Sequence, residues 1–168
     1  FFETGFSNFC LMELRITRRE EKLQIIVFKR SDNTETWQAS DDFFVRHDLS
    51  HFVVEKTLGY KTAFMGMINQ GMGAKDFEDR EKRKKLQITA EGWYAENMAN
   101  LFLIEVAQGE WEDFNAVSQA AFGKMELPLT PPLLTSQEII NIRTYLRQLL
   151  NQWDLLPINE TMFLNIDV

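Results

Sequence analysis

The sequence predicts an α+β domain, an N-terminal antiparallel β-meander followed by a mainly helical part, and three observations carry that prediction. From Leu11 to Arg18 apolar Met12, Leu14 and Ile16 alternate with Glu13, Arg15 and Thr17, the period of two of a half-buried strand. From Ser40 onward the apolar residues fall at helical spacing instead. No repeat, low-complexity run or interior linker breaks the 168 residues. A single domain is therefore expected over 1–168, with the meander in 1–40, the helical part in 41–156 and a C-terminal strand or tail in 157–168.

After the first strand, Arg19 to Lys22 is a polar turn, and Leu23 to Lys29 is a β-branched and aromatic run suited to a central return strand. Ser31-Asp32-Asn33 supplies turn chemistry before a third strand, Glu35 to Ala39. Ser40-Asp41-Asp42 offers an N-cap and negative charge for a helix start, and Gly59 a stop, so a helix is expected from Asp42 to Leu58. Phe43, Val45, Leu49, Phe52 and Val53 surround much of that helix with apolar surface, which predicts burial. Lys61 to Gly73, rich in Gly and Met, reads as a short core helix with a glycine exit. Asp76 to Lys85 is a charge-dense solvated helix or loop. Thr89 caps a helix running from Ala90 to about Ala107, and Trp111 to Phe122 forms a short amphipathic helix ended by Gly123. After a proline-rich connector, Thr135 and Glu138 stand at capping-box spacing before a helix to about Trp153, with Ile139, Ile142, Leu146, Leu149 and Leu150 as its buried stripe. Pro157 then breaks the chain ahead of Thr161 to Ile166.

Composition narrows the function. A net charge of −7, from 18 basic and 25 acidic side chains, argues against nucleic acid or an anionic membrane as partner, because both are held by clustered positive charge. No run approaches the ~18 apolar residues of a membrane span, and Phe1 to Gly5 lacks the basic-then-apolar pattern of a secretory leader. The one cysteine, Cys10, excludes an internal disulfide framework and reads as a small buried hydrophobe. A cytoplasmic protein acting on a small-molecule or peptide substrate is the expectation.

The chemistry concentrates in His47-Asp48-Leu49-Ser50-His51-Phe52-Val53-Val54-Glu55, which holds the only two histidines of the chain. At about 100° per residue, with His47 at zero, His51 falls at about 40°, Glu55 at about 80° and Asp48 at about 100°, so four groups that can bind metal or move protons share one quadrant. Inside a core each costs several kcal/mol unless it is paired, hydrogen-bonded or bound to metal.

His47-Asp48-x-x-His51 resembles the zincin metallopeptidase motif His-Glu-x-x-His. There two helical histidines bind zinc and the intervening Glu serves as general base. The resemblance covers five residues and implies a divalent metal, zinc, on His47 and His51, with Asp48 as the catalytic base, one methylene shorter than Glu. The same residues resemble the start of a pattern in a ubiquinone-biosynthesis metalloprotein family, His-Asp-x-x-His and a Glu twelve positions on, where this chain has Ala63.

Helix geometry divides the remaining roles. His47 and His51 lie ~6 Å apart along an axis and can converge on one ion, but Glu55 lies ~12 Å from His47. Glu55 is therefore assigned a place behind the ligands or a water-mediated contact, and the third ligand must come from another element. Asp76, Glu78, Asp79, Glu91, Glu96 and Glu105 are the candidates. Glu96 is preferred: its helical neighbours Gly92, Ala99, Asn100 and Leu103 leave a face that a partner helix can approach closely, and one large class of zincins takes a third ligand from a later helix. Two functions remain open, a metal-dependent hydrolase and a non-catalytic protein whose His-Asp-His-Glu cluster is a hydrogen-bonded core network.

Overall fold

A computed structural model describes residues 11–21, 23–77 and 79–168. The meander forms as β1 (Leu11–Thr17), β2 (Gln24–Lys29) and β3 (Glu35–Ser40), and the C-terminal segment returns as β4 (Thr161–Asp167). All pairings are antiparallel and the order is β3-β2-β1-β4, so β4 lies along β1 with Leu14 opposite Leu164. Alternation sends Met12, Leu14 and Ile16 of β1, Ile26 and Phe28 of β2, and Met162, Leu164 and Ile166 of β4 into one buried face. Cys10 and Glu78 lie outside the described residues.

The helices among the described residues are α1 (Asp42–Leu58), α2 (Phe64–Asn69), α3 (Arg80–Lys85), α4 (Ala90–Gln108), α5 (Phe114–Gly123) and α6 (Ser136–Leu155), with a 3₁₀ turn at Ala74–Asp76. They and the four-stranded sheet form one compact α+β domain. Asp41 caps α1 by accepting the Phe44 N–H, and Gly59 closes it at φ 68°, a left-handed conformation in which a side chain would be strained. The capping box of Thr135 and Glu138 forms at the start of α6. α5 begins later than its apolar pattern suggests, because Asp113 accepts the Ala116 N–H and fixes the start there, while the Trp111 N–H turns to Glu105 Oε1. Phe43 also departs from the expectation of burial. It sits in the first turn of α1, at the mouth of a cavity, and is 61% exposed.

α1 is the spine, packed on α4 and α6. The Trp153 indole N–H donates to Asp42 Oδ1 at 2.8 Å, joining α6 to the start of α1. Arg18 donates to the carbonyls of Trp153, Asp154 and Leu156, so a cation from the end of β1 satisfies the C-terminus of α6 where the helix dipole is negative. Hydrogen bonds from Ser50, Glu91 and Thr89 set the register of α4 against α1 and the loop that follows it. The Ser50 hydroxyl, buried in α1, donates to Ala99 O at 2.8 Å. Glu91 Oε2 accepts the N–H groups of Lys61 and Thr62, and Thr89 Oγ1 donates to Thr62 O. These bonds hold the side chain of Glu96, one turn beyond Gly92, over the polar quadrant of α1.

Candidate metal centre

The four polar groups of α1 separate by their neighbours. His51, 3% exposed, is held at both ring nitrogens: Nδ1 lies 3.0 Å from Glu55 Oε1 and Nε2 lies 2.9 Å from Glu96 Oε2. His47 Nε2 approaches the same Glu96 oxygen at 3.6 Å, and the two imidazoles meet edge to face with centroids 4.7 Å apart. One ligand atom from each of His47, His51 and Glu96 lies within 4.8 Å of the others, a distance at which the three can hold one metal ion. The helical i,i+4 spacing aligns the imidazoles, and α4 supplies the carboxylate from outside.

Supporting bonds orient each member. Asn100 Nδ2 donates to Glu96 Oε1 at 2.8 Å, which leaves Oε2 for the histidines. Glu55 has no exposed surface; its Oε2 accepts the Met65 N–H at 2.8 Å, so its Oε1 is aimed at His51. That bond requires α2 to lie close against the loop after α1. Gly66 permits it, since a Cβ there would stand 2.0 Å from Lys61 O. Asp48, 5% exposed, accepts from Gln38 Nε2 at 2.9 Å, and its other oxygen lies 4.0 Å from His47 Nδ1, beyond hydrogen-bond length.

Electrostatics follow from this arrangement. Burial lowers the proton affinity of His51, but the hydrogen bonds to Glu55 and Glu96 outweigh it and raise its pKa to about 10. Burial pushes Glu96 up, and the two histidines beside it reverse that and hold its carboxyl well below the ordinary carboxylate range. Without metal the pair is a carboxylate and an imidazolium.

The other candidate carboxylates have separate employment. Asp76 accepts the Gly73 N–H and pairs with Lys82. Asp79 accepts the N–H groups of Glu81 and Lys82, and Glu91 holds the loop at Lys61 and Thr62. Glu105, 3% exposed, is clasped by Arg143 through Nε at 2.9 Å and Nη2 at 2.6 Å.

The site opens on a cavity of about 1020 Å³ whose wall includes His47, Asp48, His51 and Glu96. Among the polar wall residues that sequence reasoning did not assign to the site are Gln38, Ser40 and Asn100, and the first two lie on one strand. The signal of Gln38 and Ser40 was legible: Thr36, Gln38 and Ser40 place polar groups at every second position of β3, on the face where β1 and β2 carry apolar residues. No protein-family model, curated protein or solved structure matches this chain.

Proposed function

We propose that this protein is a divalent-metal-dependent hydrolase, with zinc held by His47, His51 and Glu96 and with Asp48 as the general base. The observation that carries the proposal is the convergence of two imidazole Nε2 atoms from α1 on one carboxylate oxygen from α4. The donor set fits the ion. Three ligands about 2.0–2.2 Å from zinc in a tetrahedron stand roughly 3.3–3.5 Å from one another, and separations of 2.9 and 3.6 Å bracket that range. Two histidines and a glutamate leave a fourth position for water or substrate, as catalytic zinc sites require. A bound ion would polarise a substrate carbonyl and ease deprotonation of water.

The chain's own residues then divide the work. Glu55 accepts the Nδ1 proton of His51 and so presents the Nε2 lone pair to the ion. Glu96 is kept ionised and is oriented by Asn100. Asp48, held by Gln38 on the cavity wall, takes the proton of the attacking water and returns it to the departing oxygen or nitrogen. Among the described residues no helix is long and apolar enough to cross a membrane.

A second reading has its own observation. Both ring nitrogens of His51 already face carboxylates, so the cluster is satisfied as a hydrogen-bonded core network without metal. Zinc stoichiometry separates the two on tag-free protein that has been stripped with chelator and reconstituted. The hydrolase reading expects one zinc per chain, and less than about 0.1 refutes it.

A further inference from the structure

Two aromatic ladders lead away from the histidines along the cavity. His47 stacks on Phe43 with centroids 6.4 Å apart at 19°, and Phe43 meets Phe44 at 5.4 Å. On the other side His51 lies 5.2 Å from Phe64, which meets Phe77 at 4.7 Å. Phe43 and Phe44 are 61% and 50% exposed, so apolar surface stands in water at the entrance. The volume of about 1020 Å³ reaches the upper end of the roughly 300–1,000 Å³ of small-molecule sites.

The polar part of the wall specifies the head of the ligand. Ser40 is 3% exposed and lines the cavity, yet its hydroxyl has no hydrogen-bond partner among the described residues. A buried unpaired hydroxyl in a folded protein needs a partner to explain it. Ser40 shares a strand face with Gln38, and Gln38 holds Asp48 beside His47, so this donor belongs to the same wall as the candidate metal centre. Asp41, Asp48 and Glu96 line the cavity; the His51 imidazolium of the metal-free protein is already shared between Glu96 and the buried Glu55, and the Lys84 ammonium is paired with Glu81 at 3.0 Å, so the wall keeps an excess of negative charge. Such a surface repels an anionic head. A peptide would bring a row of amide groups, and among the described wall residues Gln38, Asp41, Lys84, Glu96 and Asn100 already hold hydrogen bonds, so burying those amides there carries a desolvation cost.

We propose that the cavity takes a neutral ester or amide with an apolar body, its chain or ring between the two aromatic ladders and its carbonyl oxygen accepting the Ser40 hydroxyl. The binding part stands on the cavity alone; the chemical part rests on the hydrolase reading. In that reaction a water oxygen bonds to the carbonyl carbon and the C–O or C–N bond breaks. One proton passes through Asp48 to the leaving group. The carboxylate product forms among acidic side chains, which favours its release.

The test uses a probe that cannot be hydrolysed. Nonyl methyl ketone and decanoate carry the same nonyl chain on a neutral and an anionic head, and each is titrated calorimetrically into the full chain with and without zinc. Saturable ketone binding in both forms is expected, with decanoate at least about tenfold weaker in the metal-free protein. Ser40→Ala should weaken the ketone roughly two- to tenfold, the worth of one net hydrogen bond. Ile88→Trp, at a half-buried wall position ahead of α4, should abolish ketone binding at unchanged zinc content. Folded wild-type protein that ignores the ketone, or binds decanoate equally well without metal, overturns the proposal. Zinc uptake without ketone binding refutes this inference alone, whereas ketone binding without zinc uptake refutes the hydrolase and leaves the cavity's ligand class standing.

Discussion

Glu55→Gln exchanges one carboxylate oxygen for an amide nitrogen at a fully buried position, where no water can compensate a lost partner. Glu55 accepts two hydrogen bonds, from His51 Nδ1 at 3.0 Å and from the Met65 N–H at 2.8 Å. A glutamine offers one acceptor and one donor group to the same two partners. With its oxygen toward Met65, its amide faces His51 Nδ1, which must then accept; the ring proton moves to Nε2 and the metal-binding lone pair is lost. With its oxygen toward His51, its amide meets the Met65 N–H, donor against donor. The first orientation disables the ligand and the second leaves a buried donor unpaired, at about 1–3 kcal/mol. Zinc affinity should fall ten- to a hundredfold, as for removal of other groups that orient a ligating histidine, which is about 1.4–2.7 kcal/mol. Competition against a chromophoric chelator at fixed pH reads the affinity, and circular dichroism confirms the fold. A folded Glu55→Gln protein that binds zinc within about twofold of wild type would show that Glu55 does not set the His51 tautomer.

Other perturbations separate the roles of the remaining groups. His51→Ala should abolish zinc binding and lower stability by about 3–5 kcal/mol, because Glu55 is left buried without its cation; full zinc content in this variant would remove the site. Asp48→Asn should keep zinc, since the new amide oxygen still accepts from Gln38, while slowing hydrolysis of an apolar ester by about a hundredfold or more; unchanged turnover would exclude Asp48 as the base. In chelator-treated protein the raised His51 value works through linkage. Its contribution is fully present below the ordinary 6.5 and is lost as pH rises toward about 10, so the urea midpoint should fall across that window in wild type and not in His51→Gln. Equal slopes would contradict the doubly paired imidazolium. Arg143→Ala should cost about 3–5 kcal/mol by stranding Glu105, with zinc stoichiometry unaffected; loss of zinc in a folded variant would make Glu105 a candidate ligand again.

The features legible in the amino-acid order alone are local ones. The β1 alternation, the Asp41 cap, the Gly59 stop and the Thr135–Glu138 capping box are short-range physics, and α1 runs from Asp42 to Leu58 as they imply. The i,i+4 spacing placed His47 and His51 on one face by the same kind of constraint. Tertiary structure decided everything that depends on an approach between elements. Beyond its small helical neighbours, Glu96 carries no local mark that sets it apart from Glu91 or Glu105; Ser50, Glu91 and Thr89 bring it to the histidines by fixing where α4 crosses α1. Glu55 meets His51 because Gly66 lets α2 come close enough for the Met65 N–H to hold its carboxylate. Phe43 reads as core from its type but stands at the cavity mouth, since burial is a property of what a neighbouring element covers rather than of the residue.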